Sequence, residues 1–362
     1  MPVAQAPAVA TSLPEPRRLG LRLLTAGGVV ILVGAAVMTL PGLEEVRRRF
    51  SDAVPGWLVA SLGFQVASCL AFVAVYRGVF CRRLKWNEAY HLGIAVQGTN
   101  VLLPAGGASG LALGAWALHR LGMPAQPLAA RTIAFFLITS SVNFACAVLA
   151  GSALAFALLP GDVPPLLAAV PAAAAAAVIL GVLALPRMLP SRSRATSAPA
   201  RLIGAAQGAL NAGVIEAGTR VRSADLLVIL GAVGYMGFDV LALGAAFSAV
   251  GSVPPLAVLL LAYVVGQLGG LIPLPGGVGG ADGGLIAALV LYGTSLPEAV
   301  AAVLAYRAFQ LCLPALLGTL AFLRLPRVLE RAELGACEED ALPFVRPPSG
   351  LPMARSPLVP LP

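Results

Sequence analysis

Charge is scarce in this chain. Asp, Glu, Lys and Arg make up only 11% of the 362 residues while 59% are hydrophobic, too little polar surface to cover a water-soluble fold of this length. Aromatic residues are also few, at 6% with three Trp and six Tyr, which argues against an outer-membrane barrel with its aromatic girdles. Two histidines, His91 and His119, and five cysteines, Cys69, Cys81, Cys146, Cys312 and Cys337, are scattered without CxxC spacing. That scatter predicts no zinc site, no haem site and no disulfide framework. The glycine-rich stretch GGVGGADG does not satisfy GxGxxG from any starting glycine, and GxxxxGK[ST], HExxH and GxSxG are missing. Dinucleotide, phosphate-loop, metalloprotease and serine-hydrolase chemistry therefore have no motif here. The expectation is a protein that is not an enzyme and carries no cofactor.

What remains is apolar and small. A mean hydropathy of +0.89 and a bulk of Ala, Leu, Val and Gly suit membrane helices that pack closely through small residues. The formal charge of +8 comes from arginines in short loops, which orients a membrane protein and does not form a nucleic-acid footprint. Arg17, Arg18 and Arg22 precede a first apolar helix at Leu23 to Leu40, and residues 42 to 56 form a mixed-charge interfacial connection. Further apolar runs cover Trp57–Tyr76, Leu128–Leu159, Pro165–Leu185, Leu226–Val250 and Ala299–Leu323, each at least about the 20 residues that a bilayer requires. Arg77, Arg82, Arg83 and Lys85, and the Arg-rich loop 186–223, are expected to face the cytoplasm with both termini. Within that loop, residues 200–217 read equally as a helix on anionic headgroups or as a solvated linker. The resulting organisation is a disordered tail over 1–16, a membrane domain over 17–325 and a second disordered tail over 326–362.

Two stretches break the apolar pattern. Asn100–Gly110 reads NVLLPAGGASG and Leu271–Gly284 reads LIPLPGGVGGADGG. Proline removes a helix donor and glycine costs about 1 kcal/mol against alanine, so neither stretch continues a helix. Each is predicted to join two half-helices that enter and leave on one side. An offset of about 170 residues places Gly106 and Gly107 on Gly276 and Gly277, Gln97 on Gln267, and 57–76 on 227–246. With the arginine loops on one face, units over about 57–159 and 226–323 run in opposite directions. The predicted fold is all-α, a polytopic membrane helix bundle of two inverted repeats, each with a Gly/Pro-broken re-entrant segment. Irregular backbone at membrane depth is tolerable where it lines a cavity, and such paired breaks point to a substrate path.

The candidate site gathers around these breaks. Asp282 stands at the start of a half-helix, either as a helix cap or as a partner for Arg307. Arg307 lies inside an apolar run, where a charge needs pairing or hydration; it either pairs with Asp282 or receives a lipid phosphate on its planar fork. Pro275 heads the second break, and the glycines at 276, 277, 279, 280, 283 and 284 after it either present backbone N–H groups to an anion or let helices touch. Gln97, Asn100, Pro104, Gly106 and Gly107 line the first break, and Gln267 precedes the second. Asp239, in GYMGFDVLALG, is a further intramembrane acid suited to a proton-coupled step. Arg131 reads either as the first unit's functional arginine or as a structural side chain that snorkels.

The blocks PLPGGVGGADGGLIAAL and YGTSLPEAVAAVLAYRAFQLCLPALLG resemble the C-terminal signature of the lysylphosphatidylglycerol synthase transmembrane-region family, and NVLLPAGGASG is similar to its N-x-x-L-P motif. The resemblance covers about residues 20 to 325. It places the family's acidic position on Asp282, a Glu-to-Asp departure, and its Tyr-Arg pair on Tyr306 and Arg307. It implies a flippase-like domain in a bacterial inner membrane, associated with an anionic phospholipid or a polyprenyl-phosphate lipid. A synthase or glycosyltransferase would be a separate partner, because about 37 residues after Leu325 are too few for a catalytic domain. The alternatives are a proton-coupled transporter of a small solute and a non-catalytic membrane partner of a lipid-modifying enzyme.

Overall fold

The computed structural model of the chain describes residues 28, 39, 42–102, 108–188, 198–271, 280–332, 335 and 337–338. These form eleven α-helices and no strand. We number them α1 (Glu44–Ser51), α2 (Pro55–Phe80), α3 (Trp86–Leu102), α4 (Ala108–Arg120), α5 (Ala125–Ala155), α6 (Pro165–Met188), α7 (Ala198–Arg222), α8 (Leu226–Val250), α9 (Leu256–Gln267), α10 (Gly280–Leu291) and α11 (Leu296–Arg331). A short 3₁₀ turn, Leu268–Leu271, follows α9. Among the described residues α2, α5, α6, α8 and α11 are long and apolar enough to cross a membrane. The chain is an integral, multi-pass helical membrane protein. The first apolar run, the tail over 1–16, Pro104, Gly106, Gly107, Pro275, Gly276, Gly277 and Gly279 lie outside the described residues, apart from Gly28 and Thr39 in that run.

The elements recur in order. Pro55 and Leu226, which open α2 and α8, are 171 residues apart; Trp86 and Leu256 are 170 apart, Ala108 and Gly280 172, and Ala125 and Leu296 171. α2 and α8 form the most extensive helix pair, and they run antiparallel. Val54 N–H donates to Ala249 O at 2.9 Å where α2 begins and α8 ends. At the opposite end Arg82 Nη1 meets Asp225 Oδ2 at 3.0 Å, where α2 ends and α8 begins. Around this pair the packing crosses between the two series, with α3 on α11 and α9 on α5. Glycines permit the closest of these approaches. A Cβ on Gly98 would lie 2.6 Å from the Gly318 Cα, and one on Gly231 would lie 2.7 Å from the Val75 N.

Each broken segment closes as a pair of short helices. The arms α9 and α10 have 12 residues each, about 18 Å at 1.5 Å per residue and short of a 30 Å hydrocarbon core. Gly266 of α9 lets Leu285 of α10 approach, since its Cβ would meet the Leu285 Cα at 2.7 Å. In the first pair, Asn100 Oδ1 accepts from the Gly110 N–H at 2.8 Å. A side chain of α3 thereby satisfies a first-turn donor of α4, a helix start that lacks an intrahelical partner.

Several expectations about the connections change. Residues 44–51 are helical because Glu44 and Glu45 open the helix and Arg48 and Arg49 close it, complementing its dipole. Glu44 is held below the usual carboxylate range by its own backbone N–H and by that of Gly42. Arg49 reaches across to Glu298 at 3.5 Å and to Val250 O at 3.2 Å. The loop 186–223 contains α7, a 25-residue helix that packs on α5, so a plain linker is excluded there. Gly213 lets the two helices close, because a Cβ would fall within 2.6 Å of the Ile133 Cβ.

The end of the chain also differs from expectation. The last helix passes the expected boundary at 325 and includes Pro326 before ending at Arg331. Beyond it Cys337 is fully buried and disulfide-bonded to Cys81, 256 residues earlier. This corrects the expectation of no disulfide: residues far apart in sequence meet because α2 and α11 finish at the same end, which cysteine spacing alone cannot reveal.

Candidate functional site

A cavity of about 210 Å³ sits where the two series meet. Its wall takes one stripe from each of four helices: Gln65, Ser68, Cys69 and Phe72 from α2; Gln97, Asn100 and Val101 from α3; Tyr235 and Asp239 from α8; Arg307, Gln310, Leu311 and Pro314 from α11. These spacings of three, four and seven are those of one helix face. The wall is unequal between the series. Cys69 and Gln65 stand 170 residues before Asp239 and Tyr235, so at the repeat spacing a thiol occupies the position of a carboxylate.

Asp239 is 4% exposed, and its Oδ2 is the hub. The hydroxyls of Tyr263 and Tyr306 both donate to it, the latter at 2.6 Å, and Gln310 Nε2 donates at 3.1 Å. Donors from α9 and α11 thus converge on one oxygen of α8. Three charge-assisted hydrogen bonds compensate much of the cost of burying a carboxylate. Arg307 is the other pole. Its Nε is in ion-pair contact with Asp282 Oδ1, at the start of α10, and its Nη1 donates to Gln310 Oε1. Gln310 therefore links the two poles, with its amide nitrogen on Asp239 and its oxygen on Arg307.

Of the sequence-derived candidates, Gln97, Asn100, Asp239 and Arg307 meet on the cavity wall, while Tyr306 and Asp282 lie directly behind it as partners of Asp239 and Arg307. Gln267 does not join them; it is exposed at the end of α9, whereas Gln97 is buried. Arg131 is not part of the site. It is 2% exposed and donates to Phe80 O at the end of α2, so it satisfies a terminal helix carbonyl. Gln65, Gln310 and Tyr263 were not singled out from sequence, although a polar amide inside an apolar run was the signal available for the first two. Two amide oxygens, Gln65 Oε1 and Gln97 Oε1, are buried on the cavity wall without a hydrogen-bond partner.

The cavity can hold a small polar or charged group against a guanidinium, a carboxylate and amides. It is smaller than the roughly 300–1,000 Å³ of pockets for drug-sized ligands, so acyl chains do not fit within it. Among the described residues no group of three His, Cys, Asp or Glu is placed to hold a metal ion.

Two helical series of matching order that meet at a charged cavity define a polytopic membrane protein with a polar site inside its bundle. The family model for the lysylphosphatidylglycerol synthase TM region matches residues 24–318, and the chain belongs to that family. That family ties the protein to membrane phospholipids. No curated protein matches the chain.

Proposed function

We propose that this protein is a flippase-like carrier that binds an anionic phospholipid or isoprenoid-linked lipid by its headgroup and passes it across a bacterial inner membrane. The observation that supports this most is Arg307. A guanidinium in the middle of an apolar span costs a few kcal/mol to insert unless it is engaged, and here it lines a cavity with Asp282 and Gln310 fixing its orientation. Its planar fork suits a phosphate. The headgroup would enter the cavity while the acyl chains stay in lipid.

The antiparallel α2–α8 pair and the reciprocal packing of α3 on α11 and α9 on α5 are what two inverted repeats would produce. Arg82, Arg220 and Arg327 gather at the end of the bundle that also holds the Cys81–Cys337 bond; in this reading that end and both termini face the cytoplasm, and burial of both cysteines shields the bond from cytosolic reductants. The protein performs no covalent chemistry on the lipid, and a separate synthase or glycosyltransferase would supply it.

The test is a reconstituted translocation assay with labelled phosphatidylglycerol and labelled polyprenyl phosphate. Wild type should move at least one of them, and Arg307→Ala should lose that movement. A variant that moves every lipid as fast as wild type overturns the role of Arg307. Uptake of a small solute that follows the proton gradient and ignores lipid identity would instead favour a transporter working through Asp239.

A further inference from the structure

The charged side chains on and directly behind the cavity wall do not balance one another. Among the described residues the wall carries Asp239 and Arg307, but Arg307 is already engaged by Asp282. With both carboxylates ionised, the three groups sum to one negative charge. An uncompensated charge inside a bilayer is costly, and such groups pair, hydrate or recruit a counter-ion.

The wall also offers oxygen atoms with nothing to bind. Gln65 is 4% exposed and Gln97 8% exposed, and the Oε1 atom of each is buried and without a partner. The Gln65 side chain lies against both Asp239 and the Cys69 thiol at the cavity wall. On Asp239 the three recorded bonds all fall on Oδ2, which leaves Oδ1 for another partner. A carboxylate and two amide oxygens are hard ligands of the kind that hold cations without thiolate or imidazole donors. A volume of about 210 Å³ also has room for several waters at roughly 30 Å³ each, so the ion would keep part of its hydration shell.

We propose that Asp239, Gln65 and Gln97 form a binding site for a monovalent alkali cation. The ion brings the cluster to neutrality. On the lipid reading given above, it follows that an anionic headgroup reaches Arg307 readily only when the cation is present, because the same cavity without it repels a phosphate. Cation and lipid affinities then rise together by the same factor, as linkage requires.

The site is tested on the purified full chain in nanodiscs of phosphatidylcholine alone. Thermal unfolding is followed in sodium, potassium or lithium chloride against choline chloride at matched ionic strength. At least one alkali cation should raise the melting temperature saturably, by about 2–6 °C, and choline should not. Asp239→Asn should lose the response, Gln65→Leu and Gln97→Leu should each need about tenfold more salt, and Asp162→Asn, in the exposed loop after α5, should respond as wild type does. If Asp239→Asn fails to fold, the glutamine variants and direct binding of radioactive sodium to wild type decide. Equal melting temperatures in all salts overturn the proposal, as does an undiminished response in both glutamine variants. A rise with methylammonium but none with alkali cations also overturns it and assigns the cavity to an amine headgroup. A preserved cation response together with failed lipid movement removes the lipid reading alone.

Discussion

Tyr306 and Arg307 are adjacent in sequence and serve opposite poles of one cluster: the Tyr306 hydroxyl donates to Asp239 Oδ2 at 2.6 Å, and the Arg307 guanidinium pairs with Asp282. Neighbouring residues on a helix point about 100° apart. One turn of α11 therefore reaches α8 with one side chain and α10 with the next, and a rotation of that turn disturbs both carboxylates at once.

The Arg307–Asp282 pair should show strong coupling. Either single substitution, Arg307→Gln or Asp282→Asn, leaves an enclosed charge without its counterpart. Each should destabilise the protein by about 1–3 kcal/mol, reduced from the value for fully buried pairs because both side chains keep some exposure. The double substitution should cost less than the sum of the two. Thermal unfolding of all four proteins measures this, and additive losses would show that the pair is energetically idle.

The tyrosines on Asp239 should matter to stability, and Tyr306 to function as well. Tyr263→Phe and Tyr306→Phe each remove a hydroxyl donor to a buried carboxylate and keep the ring. A loss of about 1.5–3 kcal/mol per hydroxyl is expected. Because Tyr306 and Gln310 share α11, Tyr306→Phe should also impair lipid movement more than Arg131→Met, whose arginine lies outside the cavity and donates to Phe80 O at the end of α2. Translocation rates of the two variants check this ranking.

Helix contact at Gly98 and Gly318 should be intolerant of a single methyl group. A Cβ at either position would enter the backbone of the other helix, and relief requires the helices to separate. Gly318→Ala should cost about 1–3 kcal/mol. Gly181→Ala, on a stretch of α6 where a Cβ meets nothing within 4 Å, should be neutral or stabilising by up to about 1 kcal/mol. Melting temperatures of the two alanine variants should move in opposite directions or differ by several degrees.

The disulfide should be visible chemically. Wild type should run faster than Cys337→Ser on a non-reducing gel and at the same position after reduction. Cys69, Cys146 and Cys312 are free, so a maleimide count of three under denaturing, non-reducing conditions should rise to five on reduction. Five reactive thiols without reductant would remove the bond.

How much of this was legible in the sequence depends on the kind of pattern involved. The helical class and the interruptions follow from long apolar runs and from Pro and Gly, whose effects are local. The offset near 170 was readable from Gly-Gly pairs and recurs in the order of the helices. Asp239 and Arg307 stood out because charge inside an apolar run is rare. Gln65, Gln310 and Tyr263 did not, since an amide or a phenol in such a run carries no comparable cost and acquires meaning only when four helices turn the same way. The displacement of Gln267 from the cavity and the assignment of Arg131 to Phe80 are matters of where a helix ends, which residue spacing does not set. The disulfide depended wholly on tertiary proximity.

The bond between Cys81 and Cys337 has a mechanical consequence. It closes a covalent ring that begins where α2 ends, passes through both series, and returns just beyond α11. While the ring is intact, the two halves of the bundle cannot part at that end. A motion that opens the cavity by separating them must swing about the stapled end as a hinge and gape at the other, where Arg49 and Ser252 both bind Glu298 and Arg49 also reaches the carbonyl of Val250.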